Sequence, residues 1–175
     1  MSTIKESPAV AAASVSSDVP TEYCEVVAEF LKRMGAAQTI KPQHNVDDSF
    51  SNLIGGLLKV TSIQRGKISC FLHLKAPILN AYGGMHGGAV GAVAERVAIA
   101  CARTVVGDDK DLFLGELGLS YLSAAPHNAE VIIDGNVVRS GRNITVVAVN
   151  FRLKESRRLA FLTRATFYNM PMPSL

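Results

Sequence analysis

Residues 88–106 constrain this chain more than any other stretch. Ala89, Val90, Ala92, Val93, Ala94, Val97, Ala98, Ile99, Ala100 and Cys101 leave almost no polar face in the first turns of a helix. A helix that is apolar nearly all round is one a protein buries. Its side chains are small, so other elements must approach it closely. Gly107-Asp108-Asp109 supplies the stop. The rest of the fold has to be built around this segment.

Strand-like runs flank it. Residues 57–63 and 67–75 read as two strands joined at Gln64-Arg65-Gly66, with Pro77 closing the unit. Four more runs follow, at 112–123, 130–139, 143–154 and 159–168, separated by Pro126-His127-Asn128, Ser140-Gly141-Arg142 and Glu155-Ser156-Arg157. Thr145, Val147, Val149 and Phe151 share one face of their run, as do Phe161, Thr163, Ala165 and Phe167 of theirs. One helix among segregated strands predicts an α+β domain whose antiparallel sheet wraps the helix. Upstream, Val27, Phe30, Leu31 and Met34 recur at i, i+3, i+4 and i+7, which predicts a helix over 21–34 stopped by Gly35. The expected organisation is a disordered tail over 1–19, the helix and a polar loop (36–52) packing on the domain within 20–56, the domain itself over 57–170, and a short tail over 171–175.

Composition narrows the class of function. Hydrophobic residues make up 48% and charged residues 19%, as in an ordinary globular protein. Trp is absent and the net charge is only +3, which argues against base stacking and nucleic-acid binding. From residue 135 onward there are seven basic side chains against the single acid Glu155, so this half favours an anionic partner. Cys24, Cys70 and Cys101 show no paired spacing, and an odd count predicts reduced thiols. The longest uncharged stretch, 76–94, contains Pro77, Asn80, His86 and five glycines, so no integral membrane segment is expected. The first twenty residues make a poor transit peptide, and the final Pro-Ser-Leu only faintly resembles a peroxisomal address. The expected compartment is intracellular and cytoplasmic, with peroxisome and mitochondrion left open.

The chemistry concentrates where the buried helix begins, at Asn80-Ala81-Tyr82-Gly83-Gly84-Met85-His86-Gly87-Gly88. A helix N-terminus presents unpaired N–H groups and partial positive charge. Glycines let a ligand come close to them. Gly87 and Gly88 are the expected donors to a carbonyl oxygen gaining charge. Glu95 is the one acid between Asn80 and Gly107 and lies two turns beyond Gly88 on the same helix face. It could act as a general base, pair with Arg96 or Arg103, or sit on a polar stripe. Taken alone these readings are evenly matched, and the glycine turn favours the first. His86 either bonds local backbone or organises the loop and orients a substrate carbonyl. Asn80 either positions a water or thioester, or is a turn residue. No GxSxG elbow, phosphate loop, HExxH or paired-cysteine zinc motif is present, and no metal or separate cofactor is expected.

The run from Asn80 through His86-Gly87-Gly88 to Glu95 resembles the hot-dog thioesterases, in particular the PaaI-like branch that includes thioesterase superfamily member 2. Leu119-Ser-Tyr-Leu-Ser-Ala-Ala125 and Val138-Arg-Ser-Gly-Arg142 extend the likeness. The resemblance implies an antiparallel sheet round a long central helix, a homodimer or dimer of dimers, and a site at the subunit interface. Asn80, His86 and Gly87 would come from one subunit and Glu95 from the other. Gly87 N–H would polarise an acyl-CoA thioester, and Glu95 would act as general base or nucleophile. The substrate would be held by Gly88, Glu116, Tyr121, Leu122, Ser123, Ala124, Arg142, Asn143 and Ile144, with Arg142 on phosphate. One departure stands out: where the animal branch carries a serine that helps position water, this chain has Leu114 or, one residue along, Gly115. The alternatives are an acyl-CoA sensor or scaffold that does not turn its ligand over, and a hydratase or dehydratase of the same fold.

Overall fold

The computed structural model describes residues 16–33, 36 and 38–171. Met34 and Gly35, most of the expected 1–19 tail, and residues 172–175 lie outside the described residues. The chain divides into two units, Met1–Ser49 and Phe50–Leu175. The first contains helix α1 (Thr21–Arg33), on which Tyr23, Val26, Val27 and Phe30 form an exposed apolar stripe, and a short 3-10 turn at Pro42–His44.

At the start of the second unit the structure corrects the expected polar loop. Helix α2 spans Ser49–Leu57, and strand β1 starts only at Leu58. Phe50, Leu53, Ile54 and Leu57 recur at helical spacing. Ile54 is fully buried, and Leu53 and Leu57 pack against the core. That burial outweighs the helix-weakening pair Gly55-Gly56, which costs about 1 kcal/mol per glycine relative to alanine.

Six strands then form one antiparallel sheet: β1 (Leu58–Gln64), β2 (Lys67–His73), β3 (Lys110–Tyr121), β4 (Glu130–Ser140), β5 (Ile144–Leu153) and β6 (Leu159–Pro171), in the spatial order β1-β2-β4-β5-β6-β3. The long helix α3 (Gly87–Arg103) lies on the inner face and meets β2, β3, β4, β5 and β6. Val131 and Ile133, Val147, Val149 and Phe151, and Ala165 and Phe167 face it, as period-two alternation requires. From the helix come Val90, Val93, Ala94, Val97, Ala98 and Cys101, all essentially inaccessible. Each buried valine contributes roughly 1.5–3 kcal/mol, so the helix holds the sheet round itself.

Closest approach occurs at Gly135 on β4. A Cβ there would stand 2.9 Å from Ile68 Cγ2 and 3.2 Å from both Cys101 Cβ and Val97 Cγ1. The turn at Gly141 is fixed from within: Thr145 Oγ1 donates to Asn169 Oδ1 at 3.1 Å, and Asn169 Nδ2 donates to Gly141 O at 2.9 Å. Thr145 is fully buried, so its hydroxyl belongs to the sheet's interior bonding. No described helix is long and apolar enough to cross a membrane.

Candidate active site

The segment leading into α3 is a turn tied by its own asparagine. Asn80 N–H donates to Gly84 O (2.8 Å) and Gly83 N–H to Asn80 O (3.0 Å). The Asn80 side-chain Oδ1 accepts from Tyr82 N–H (3.0 Å) and Gly84 N–H (3.1 Å). Gly83 has φ of +75°, a conformation that L side chains adopt only with strain. The turn reading of Asn80 accounts for its oxygen; its Nδ2 forms no hydrogen bond among the described residues, and the residue lines the adjacent cleft. Met85 N–H bonds Ala125 O (2.8 Å) and His86 N–H bonds Ile78 O (2.8 Å), which anchors the entry to the helix.

His86 is the N-cap of α3, with extended backbone (φ −65°, ψ 133°). Its Nδ1 accepts the Gly88 N–H at 3.0 Å. A ring nitrogen here does what a serine or aspartate oxygen does at most helix starts, and the bond assigns the neutral tautomer protonated on Nε2. This corrects the expectation that both glycines offer amides to a ligand. Gly88 N–H is taken by the cap, and Gly87 N–H is the open donor of the pair.

A cleft of about 380 Å³ opens beside it, lined by Asn80, Gly84, Met85, Gly87, Tyr121, Leu122, Ser123, Ala124, Ala125 and Phe161. Tyr121 sits at the end of β3 and its hydroxyl donates to Gly87 O at 3.1 Å. Its ring meets Phe161 edge-on (centroids 5.8 Å apart), and Phe161 meets Phe151 in the same way at 5.7 Å. Ser123 Oγ is buried in the cleft wall with no hydrogen-bond partner among the described residues, a group that a ligand amide or carbonyl could satisfy. Among the residues expected from sequence, Asn80, Gly87, Tyr121, Leu122, Ser123 and Ala124 come together here. Gly84, Met85, Ala125 and Phe161 were not expected. Phe161 reaches the cleft only through its register opposite Tyr121, which no local pattern reveals.

Apart from His86 and Gly88 at the helix start, the remaining expected residues lie elsewhere in the chain. Glu95 is half-buried, eight residues along α3 from Gly87, or about 12 Å by helical rise. It makes no ion pair or hydrogen bond among the described residues. Arg103, one of the two expected partners, donates instead to Gly107 O (2.9 Å) and Lys110 O (2.6 Å). Arg142, Asn143 and Ile144 are at the opposite end of the sheet. Ile144 is registered with Tyr168 and Tyr121 with Phe161, seven residues or about 23 Å apart along β6. Glu116 is exposed on β3, beyond a bulge between Leu114 and Glu116. Leu114 packs inward against the core, and a Cβ on Gly115 would run into the Tyr168 ring, so neither position supplies a hydroxyl to the cleft.

A six-stranded antiparallel sheet closed round one helix, with a cleft at that helix's N-terminus, is the hot-dog fold. Residues 82–160 match the family model of the thioesterase superfamily. Solved structures agree on the fold. Zebrafish thioesterase superfamily member 2 superposes with a TM-score of 0.64 at 17% identity, covering 82% of this chain and 95% of that one. The mouse protein of the same name gives 0.64 at 16% identity, with 70% and 88% covered. A hypothetical thioesterase from Streptococcus pneumoniae, crystallised with coenzyme A, gives 0.58 at 20% identity, with 67% and 88% covered. A search of curated proteins by sequence finds no match.

Proposed function

We propose that this protein is an acyl-CoA thioesterase of the PaaI-like branch, working as a dimer whose two chains complete each site. The observation that carries this reading is the Gly87 N–H at the start of α3, which makes no hydrogen bond among the described residues and belongs to a residue lining the cleft. An oxyanion formed on a thioester carbonyl fits that amide and the positive end of the helix. The base comes from Glu95. Glu95 lies about 12 Å further along α3 than Gly87 by helical rise, and among the described residues it makes no side-chain bond that commits it to its own chain. In this reading the carboxylate that serves one cleft comes from a second copy of the chain, as the resemblance to the hot-dog thioesterases implies. Glu95 takes a proton from water, the water oxygen bonds to the carbonyl carbon, and the tetrahedral intermediate collapses with loss of CoA thiolate, which is then protonated.

The same logic applies to the nucleotide end of the substrate. Tyr121–Ala124 and Arg142–Ile144 sit at opposite ends of one sheet, so a single CoA touching both spans two subunits, with the basic turn on phosphate. The coenzyme A held by the Streptococcus pneumoniae neighbour supports this ligand class. A second reading, acyl-CoA binding without turnover, is favoured by one observation: Leu114 and Gly115 bring no hydroxyl to the cleft.

Thiol release from short, long-chain and aromatic acyl-CoAs tests both. The wild type should release CoA, and Glu95→Ala should lose on the order of 10²–10⁴-fold in kcat with its melting temperature kept. Unchanged turnover in that variant removes Glu95 from the mechanism. Tight acyl-CoA binding without thiol release selects the second reading.

A further inference from the structure

The open amide of Gly87 is held in place by bonds that all fall on its neighbours. The peptide between His86 and Gly87 is fixed at its carbonyl, because His86 O accepts from Val90 N–H at 3.0 Å. The next peptide, between Gly87 and Gly88, is fixed at both ends. Its N–H goes to His86 Nδ1 at 3.0 Å and its carbonyl accepts from Tyr121 Oη at 3.1 Å. These bonds, with the helix's own bond from Gly91 N–H to the Gly87 carbonyl, immobilise two successive peptide planes, while the Gly87 N–H makes no hydrogen bond among the described residues. Glycine at this position would otherwise be the softest link in the helix entry.

Of these, only the Tyr121 bond comes from a different element. The others are made within the helix itself, whereas Tyr121 reaches across from β3, thirty-four residues on. The glycine is shaped for this contact: a Cβ on residue 87 would stand 3.2 Å from Tyr121 Oη and 3.5 Å from its ring. The ring is packed edge-on to Phe161 and keeps that packing whether or not it carries a hydroxyl.

We propose that Tyr121 is a positioning residue: its hydroxyl clamps the Gly87–Gly88 peptide and so aims the Gly87 N–H into the cleft. Its effect on rate rests on the thioesterase reading above; its effect on the helix entry does not. An oxyanion donor works because it is already oriented when charge develops, and small displacements of such groups cost rate more than binding. Loss of the clamp should therefore lower kcat and leave KM alone.

The experiment is Tyr121→Phe in the full chain, with Tyr121→Leu beside it. For Tyr121→Phe we expect kcat for thiol release to fall about tenfold, KM to stay within about twofold, the melting temperature to hold, and exchange of the Gly88 amide, followed by NMR, to quicken severalfold. Tyr121→Leu should add a rise in KM, because the cleft also loses the ring. Full kcat in Tyr121→Phe, or unaltered Gly88 exchange, overturns the proposal. So does a raised KM with kcat intact, which would make the hydroxyl a substrate contact instead. If the wild type releases no thiol, the thioesterase reading fails, and Gly88 exchange alone decides the clamp.

Discussion

His86 Nδ1 takes the Gly88 N–H at 3.0 Å, and this bond decides which amide at the start of α3 is left for a ligand. Two adjacent glycines have opposite fates because a single imidazole folds back onto the second.

Replacing His86 with alanine should separate its structural and catalytic contributions. Loss of an N-cap costs about 1 kcal/mol, or roughly 2–4 °C in melting temperature for a chain of this size. His86→Asn should recover most of that stability, because an asparagine oxygen can take the Gly88 N–H in place of Nδ1. Turnover should recover in parallel if the cap is the whole role of His86. A variant that melts like the wild type but still turns over slowly would show that the imidazole also touches substrate. Thermal melts and thiol-release rates on the same samples check this.

The two glycines should respond differently to alanine. On residue 87 the new methyl meets Tyr121 Oη at 3.2 Å, and on residue 88 it meets His86 Nδ1 at 3.2 Å. Tyr121 is 56% exposed, so it can move aside, and Gly87→Ala should fold normally while losing kcat through a displaced clamp. Gly88→Ala presses on the cap and should lose stability as well as rate. Urea unfolding beside steady-state kinetics separates the two outcomes.

Much of this arrangement was legible in the chain, and the exceptions have physical causes. The all-apolar face of residues 89–101 can only be a buried helix, and the alternation of Thr145, Val147, Val149 and Phe151 can only be a half-buried strand, so the α+β architecture followed from periodicity. Helix α2 was missed because Gly55-Gly56 speaks against a helix locally, while the burial that overrides it is tertiary. The glycine-rich turn pointed to the site, yet nothing in its composition distinguishes a free amide from one taken by a histidine two residues back. Phe161 enters the cleft by strand register alone, which depends on pairing between distant segments.

At Gly135 the sheet and helix leave no space for a side chain. Its hydrogen already stands where a methyl would press on Ile68, Cys101 and Val97, the first at 2.9 Å. Overpacking of this kind typically costs about 1–3 kcal/mol. Gly135→Ala should lose that much in urea unfolding while keeping the wild-type kcat per folded molecule, since Gly135 lines no part of the cleft. A neutral result would mean that α3 rides further from β4 than the structure has it.

The cysteines offer a test that needs no substrate. Cys70 and Cys101 are buried between β2 and α3, whereas Cys24 on α1 is partly exposed. Burial pushes the Cys70 thiol up to about 11, with the Asp134 carboxylate nearby adding to the rise, and burial also raises Cys101. At pH 8 a thiol of that acidity is thiolate in roughly one molecule in a thousand, and the thiolate is the reactive form. In the native protein an aromatic disulfide reagent should therefore consume one thiol quickly, and all three only after unfolding. The linkage has a definite sign. A thiol whose native value lies above its unfolded one leaves stability intact below about pH 9 and erodes it as pH rises toward 11, because the unfolded chain loses its proton first. Urea midpoints measured from pH 7 to pH 11 should hold and then fall over that window. Rapid native reaction of two or more thiols would contradict the packing of α3 against β2.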